Sequence, residues 1–322
     1  MTFAELLAAQ PHSNYADWTT AAKKQLRNRT IQEISVKIAG RSLAPYTVAT
    51  SNTGPPSGDH KFKVVADLRG PSAAHFRSVL EWGAQALFLD DTVLHEPPSS
   101  LEGVRFDFLT VYAEAKASSI WSQIPAAQQG QCEFYSPFRQ QDLSSSERVL
   151  IFFQEAELSD RNLAAWVANT LLPAMQNRDF SGAASLAISV RLPADYLECL
   201  VLIQSLRLLH ANACLAVGQY EPITPAHWLG HVDARAGAHG AEAWLIDSAC
   251  RSVAGATAGL DAIMVTPFDH SVEQCRRALN IGHVLAIEAG FGLAHDALSG
   301  ATWVAEAASL LAKSAWEAVC AT

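Results

Sequence analysis

From Lys61 onwards, short apolar runs recur with amphipathic stretches between them, and that alternation limits what the chain can fold into. The runs are KFKVVADL (61–68), ALFLDD (86–91), FDFLTVYA (106–113), CEFYSPF (132–138), RVLIFFQ (148–154), SLAISVR (185–191), ACLAVGQ (213–219) and LDAIMV (260–265). Their apolar residues are mostly consecutive, as in parallel strands covered on both faces. The segments between them follow a helical period: in DRNLAAWVANTLLPAM, Leu163, Val167 and Leu171 share a face. Eight buried strands alternating with helices predict a (β/α)8 barrel rather than an open sheet. The Pro- and Gly-containing stretch 220–240 reads as a long loop after the seventh strand.

The last unit is the most detailed. Leu245, Ala249 and Val253 fall on one face of a helix, with Asp247 and Arg251 four residues apart on another. Gly255 and Gly259 break it, LDAIMV follows, and Pro267 ends that strand. Phe268, Asp269 and His270 then form a loop before a helix that carries Glu273 and Arg277.

Residues 1–60 do not read as a barrel unit. An amphipathic stretch from Trp18 to Leu26 precedes the strand-like TIQEISVKIAG and a loop rich in Ser, Pro and Gly. The expected division is an arm over 1–60, a subunit contact, and a barrel over 61–322. A barrel of this kind takes roughly 250 residues.

The net charge of −9 argues against nucleic acid, whose phosphates need clustered Lys and Arg. The six cysteines are scattered without a Cys-x-x-Cys pair and read as reduced thiols. The start of the chain lacks the basic and apolar regions of a signal peptide. The most apolar segment, 196–217, is interrupted by Glu198, Gln204, Arg207 and His210, which argues against a membrane span. The cytoplasm is the expected compartment.

A barrel site lies at the carboxyl ends of the strands. The residues falling there are Asp67, Leu68, Arg69, Asp90, Asp91, Gln154, Glu155, Arg191, Gln219 and Pro267 to His270; of these, Arg69, Asp91, Gln154, Glu155, Gln219 and Asp269 are the candidate pocket. No Lys stands there for Schiff-base chemistry. Asp91, Glu155 and Asp269 could serve a metal or act as acid and base in an isomerase or lyase; the alternative is helix capping and pairing with Arg69 or Arg191. His227 and His231 have helical metal-ligand spacing, but Pro222 and Pro225 favour a solvated loop. No hydrolase elbow, Rossmann fingerprint or Walker loop is present.

The order Pro267-Phe268-Asp269, Arg276, Asn280, Glu288, Asp296, Gly300 and Trp316 resembles the end of the barrel domain of methylmalonyl-CoA mutases, with Leu279 in place of the family's second Arg and Ala297 in place of a Pro. Trp18, Leu26 and Ala44-Pro45-Tyr46-Thr47 follow the order of that family's N-terminal arm. The resemblance implies positions that have lost their chemistry. Leu68 stands for the family's catalytic Tyr, Ala66 for an Arg, and Gln154 for its His. After Asp195-Tyr196-Leu197 the family's Lys and first Arg are replaced, leaving Ile203-Gln204-Ser205-Leu206-Arg207. The Asp-x-His of the family's cobalamin domain is absent.

Together these imply the small, non-catalytic subunit of a heterodimeric methylmalonyl-CoA mutase, an isomerase of propanoate metabolism. Adenosylcobalamin would be bound by a large catalytic partner, with acyl-CoA in the complex and no cobalamin-binding domain, cofactor or metal in this chain. Neither nucleic acid nor membrane would be a partner. An alternative is a catalytic mutase barrel that uses a cobalamin domain on a separate chain. Phe152 and Phe153 are expected to plug the barrel axis.

Overall fold

Eight parallel strands close on themselves in chain order: β3 (Lys63–Asp67), β4 (Ala86–Leu89), β5 (Thr110–Ala113), β6 (Glu133–Pro137), β7 (Arg148–Phe153), β8 (Leu186–Arg191), β9 (Ala226–Val232) and β10 (Ala262–Val265), which returns to β3. The predicted (β/α)8 barrel is what the computed structural model shows. It describes residues 15–26, 36–38, 41–43, 62–90, 110–113, 133–137, 148–154, 158–176, 186–218, 226–235, 238–291, 297–298 and 300–321. Before the barrel lie helix α1 (Tyr15–Leu26) and an antiparallel hairpin of β1 (Val36–Ile38) and β2 (Arg41–Leu43).

The barrel strands whose side chains are described on both sides bury both faces. Val65, Ala86, Phe88, Tyr112, Tyr135, Leu150, Ala187, Leu229, Ala262 and Met264 fill the axis, with Phe152 against them. The alternate residues, among them Val64, Leu87, Ile151, Ile188 and Ile263, pack outwards under the helices. Phe152 lies on the axis as expected, whereas Phe153 faces outwards, edge-on to Trp166 at 5.7 Å.

The seventh strand is not where its apolar run predicts. Residues 213–216 finish the 21-residue helix α4 (Tyr196–Ala216), which ends before Gly218 at φ 83°. This helix lies between the barrel and the C-terminal helix α7 (Thr302–Cys320), with Ser205 Oγ 3.4 Å from the Ala308 carbonyl. Covered on two sides, it is apolar nearly all round and loses the period that marks a surface helix. The true strand, β9, comes from the stretch read as a loop. Its inward positions are His227, Leu229 and His231, and its outward ones include Trp228, Gly230 and Val232.

Between β9 and β10, helix α5 (Ala241–Thr257) buries Trp244, Ser248, Ser252 and Gly255, while Ala249 and Val253 pack on the core only in part and Leu245 is exposed. Small residues let this helix approach the sheet. A Cβ on Gly230 would lie 2.5 Å from Leu260 Cδ1, and one on Gly255 would lie 2.9 Å from both Leu260 and Leu192. Gly230→Ala should therefore destabilise the fold by about 1–3 kcal/mol through overpacking. A thermal melt unchanged by the substitution would show that the two leucines simply repack.

The described outer layer also contains helices α2 (Phe76–Glu81), α3 (Asp160–Trp166, continued by a π-turn and Leu172–Gln176) and α6 (Val272–His283). Leu163, Val167 and Leu171 are buried on one face, and the ion pairs Asp247–Arg251 and Glu273–Arg277 form as their spacing requires. Helix α7 straps α3 and α4 together, with Ser314 Oγ donating to Asp160 Oδ2 at 2.8 Å. By composition, α4 is long and apolar enough to cross a membrane; in the fold it belongs to the barrel's helical layer.

Candidate functional site

At the carboxyl end of β3, Asp67 folds back on Arg69. Asp67 Oδ1 accepts the Arg69 backbone N–H at 3.2 Å and Nε–H at 2.8 Å, and Oδ2 accepts Nη2–H at 2.7 Å. Thr266, just past β10, donates to Asp67 Oδ2 at 2.8 Å and lies 2.9 Å from His231 Nε2 at the end of β9. Arg69 Nη2 reaches His231 Nε2 at 3.0 Å and Thr266 Oγ1 at 3.2 Å. Three strands are thus tied across the mouth. The guanidinium also lies over the Phe88 ring, 5.0 Å from its centroid.

The protonation states follow from burial and neighbours. Burial would raise the Asp67 pKa, but the hydrogen bonds and charge of Arg69 outweigh it and hold the carboxyl below its usual value. Burial, with Arg69 beside it, pushes His231 down to about 4, so the imidazole is neutral at pH 7. Its Nε2 then accepts from Arg69, which assigns the proton to Nδ1. A second Asp-x-Arg clasp stands at the end of β9: Asp233 Oδ1 accepts from the Arg235 backbone N–H and Nε–H, and Oδ2 accepts from Nη2–H at 2.9 Å.

Arg191 differs from both. It ends β8 beside His231 in register, on the inward-facing parity of Ala187, and is half-buried. Its guanidinium makes no hydrogen bond or ion pair with any described residue.

The sequence-derived candidates are scattered by the structure. Arg69 is in the network. Gln154 follows β7 and is exposed, and Leu68 is fully buried in the outer core. Asp269 is exposed and shapes a turn, its carboxylate accepting the Ser271 N–H at 2.8 Å. Asp91, Glu155 and Gln219 lie outside the described residues. His231 and Thr266 were missed as mouth residues. The signal available was the pair of Asp-x-Arg triplets at strand ends, and the even spacing that puts His227 and His231 on one face of a strand. His227 sits lower in the barrel, where its Nε2 and the Tyr112 hydroxyl are 2.5 Å apart. Below it, Lys63 Nζ bonds Thr110 at 2.6 Å and Glu133 at 2.8 Å. Among the described residues no three His, Cys, Asp or Glu side chains gather as a metal site.

No family model and no curated protein matches the chain. Among solved structures it is similar to dihydropteroate synthase of Thermus thermophilus. In complex with 6HMPPP that protein is 15% identical with a TM-score of 0.40, over 70% of this chain and 94% of its own. In complex with 4-aminobenzoate it is 14% identical with a TM-score of 0.37, over 78% and 98%. The likeness is one of fold. At such values it describes a barrel and assigns no activity.

The mutase expectation is corrected by these comparisons, because the similar structures are dihydropteroate synthases and not methylmalonyl-CoA mutases. The small-subunit role, the isomerase class and the place in propanoate metabolism go with it. The expectations of cobalamin, of a large partner subunit and of acyl-CoA came from that resemblance. The residues that carried it have architectural work in this barrel. Asp269 forms a turn, Arg276 lies over Trp82 at 6.0 Å, and Trp316 packs on the core.

Proposed function

We propose that this chain is an anion-binding barrel whose mouth receives a small organic acid or phosphate ester, with Arg191 taking the acid group. The observation that carries this reading is a half-buried guanidinium at a strand end, unpaired among the described residues, whereas Arg69 and Arg235 at neighbouring strand ends are each clasped by an aspartate. A half-desolvated cation with no counter-ion among the described residues is held at some expense, and an anionic ligand relieves it. The net charge of −9 gives no long-range attraction for anions, so recognition has to be local. Asp67, Arg69, His231 and Thr266 satisfy one another and form a rigid wall for the ligand. With Asp67 held ionised and His231 held neutral, that wall binds and orients rather than moving protons near pH 7. The cytoplasm suits such a barrel, and its five described cysteines are free thiols.

Calorimetric titration with hexanoate and with propyl phosphate tests this. At least one should bind, and Arg191→Ala should weaken it by roughly tenfold or more, the worth of a charged hydrogen bond. Arg191→Lys should keep part of the affinity, since the charge remains while the fork is lost. Equal affinity for Arg191→Ala and the native chain, or no binding of either probe, overturns the reading.

A further inference from the structure

We infer that Ser189 provides a second, deeper contact in the same mouth, so that the barrel selects anions carrying a hydrogen-bonding group below the acid. The inference rests on the role given to Arg191 above and adds what lies beneath it. Ser189 is two residues before Arg191 on β8. Ile188 and Val190 pack outwards and Ala187 packs on the axis, so Ser189 shares the inward face of Ala187 and Arg191.

Its hydroxyl is fully buried and has no hydrogen-bond partner among the described residues. The inward threonines differ. Thr110 bonds Lys63 and Glu133, while Thr266 bonds Asp67. Ser248 and Gln274 also keep an unpaired buried oxygen, but they lie on the outer helices α5 and α6. Among the described strands, Ser189 is the one inward Ser or Thr hydroxyl left unpaired.

A buried hydroxyl without a partner is unfavourable and calls for an explanation. In β7, Ser189 is in register with Phe152, whose ring faces the axis and is only half-buried. Solvent therefore reaches the Phe152 ring at the level of Ser189, and a ligand that turns that ring aside meets the covered hydroxyl. Two residues along a strand span roughly 6.6 Å. A ligand whose acid meets Arg191 can place a hydroxyl, amide or carbonyl beside Ser189 Oγ at that depth and satisfy it.

Hexanoate and 6-hydroxyhexanoate differ only in the group that would arrive there. The native chain should bind 6-hydroxyhexanoate on the order of tenfold more tightly, because the plain acid leaves Ser189 unpaired. Ser189→Ala should bind both equally, with hexanoate affinity unchanged and melting temperature equal to or above the native value. A preference that survives Ser189→Ala, or equal affinities in the native chain, overturns this inference while leaving Arg191's role standing. Should neither acid nor propyl phosphate bind, the mouth reading falls and this one with it. A crystal structure of the 6-hydroxyhexanoate complex with only a water on Ser189 Oγ would equally refute it.

Discussion

Lowering the pH from 7 to 4 should remove about 6 kcal/mol of folding stability, most of it through two buried histidines. His210 and His231 both fall from an ordinary 6.5 to about 4, His210 through burial and His231 through burial and then the charge of Arg69. Each gap corresponds to about 3 kcal/mol. Between pH 6.5 and 4 the unfolded chain takes up a proton on each imidazole while the folded chain does not. Stability is therefore complete above pH 6.5 and declines as the pH falls through that window. His227, lowered chiefly by burial with Asp261 opposing, acts in the same direction.

Urea unfolding at pH 7, 5.5 and 4 measures the decline. The two sites sit in different surroundings, which makes their contributions separable. His210 belongs to α4, edge-on to Trp228 at 6.0 Å, whereas His231 belongs to the mouth. A His210→Leu, His231→Gln double variant should lose most of the slope, since neither replacement titrates and the glutamine oxygen can still accept from Arg69. The acidic clasps respond elsewhere. Arg235 holds Asp233 near 2 and Arg69 holds Asp67 below its usual value, so these carboxylates protonate only under stronger acid. A flat profile from pH 7 to 4.5 would mean that the imidazoles are solvated in the folded chain.

How much of this could be seen in advance depended on whether each residue followed the rule for its element. β3, β4, β7, β8 and β10 are mostly apolar runs, and the structure puts each within two residues of its predicted ends. β9 and α4 exchanged identities because each breaks its own rule. The helix is apolar on nearly every side, and the strand carries two histidines and a glycine that leaves room for Leu260. The mouth was half legible. Asp67, Arg69 and Arg191 are strand-end residues that the barrel rule finds. His231 could not be found while its segment read as a loop. Thr266 has no pattern of its own to mark it, since it lies between the apolar strand and the Pro-Phe-Asp that ends it. The pairing of Arg69 with Asp67 is local backbone geometry, repeated by Arg235 and Asp233.

That clasp is where a single substitution should do the most damage. Asp67→Ala should destabilise the fold by about 3–5 kcal/mol, the range for removing one partner of a buried ion pair. The carboxylate is nearly inaccessible at 3% exposure and the guanidinium is 23% exposed, so water cannot fully replace what is lost. Three Arg69 donors lose their acceptor, and Thr266 loses the group to which it donates. Arg69→Met alone should also be costly, because it leaves Asp67 charged in a dry site until its pKa rises. Removing both ends is different. In an Asp67→Leu, Arg69→Met variant no charge is stranded, and the Thr266 hydroxyl can turn to His231 Nε2, already 2.9 Å away. The double variant should thus be closer to the native chain than either single one, a coupling of at least about 2 kcal/mol in urea midpoints. If the losses simply add, Asp67 and Arg69 are not acting as one unit, and the wall beside Arg191 is held by something other than their charges.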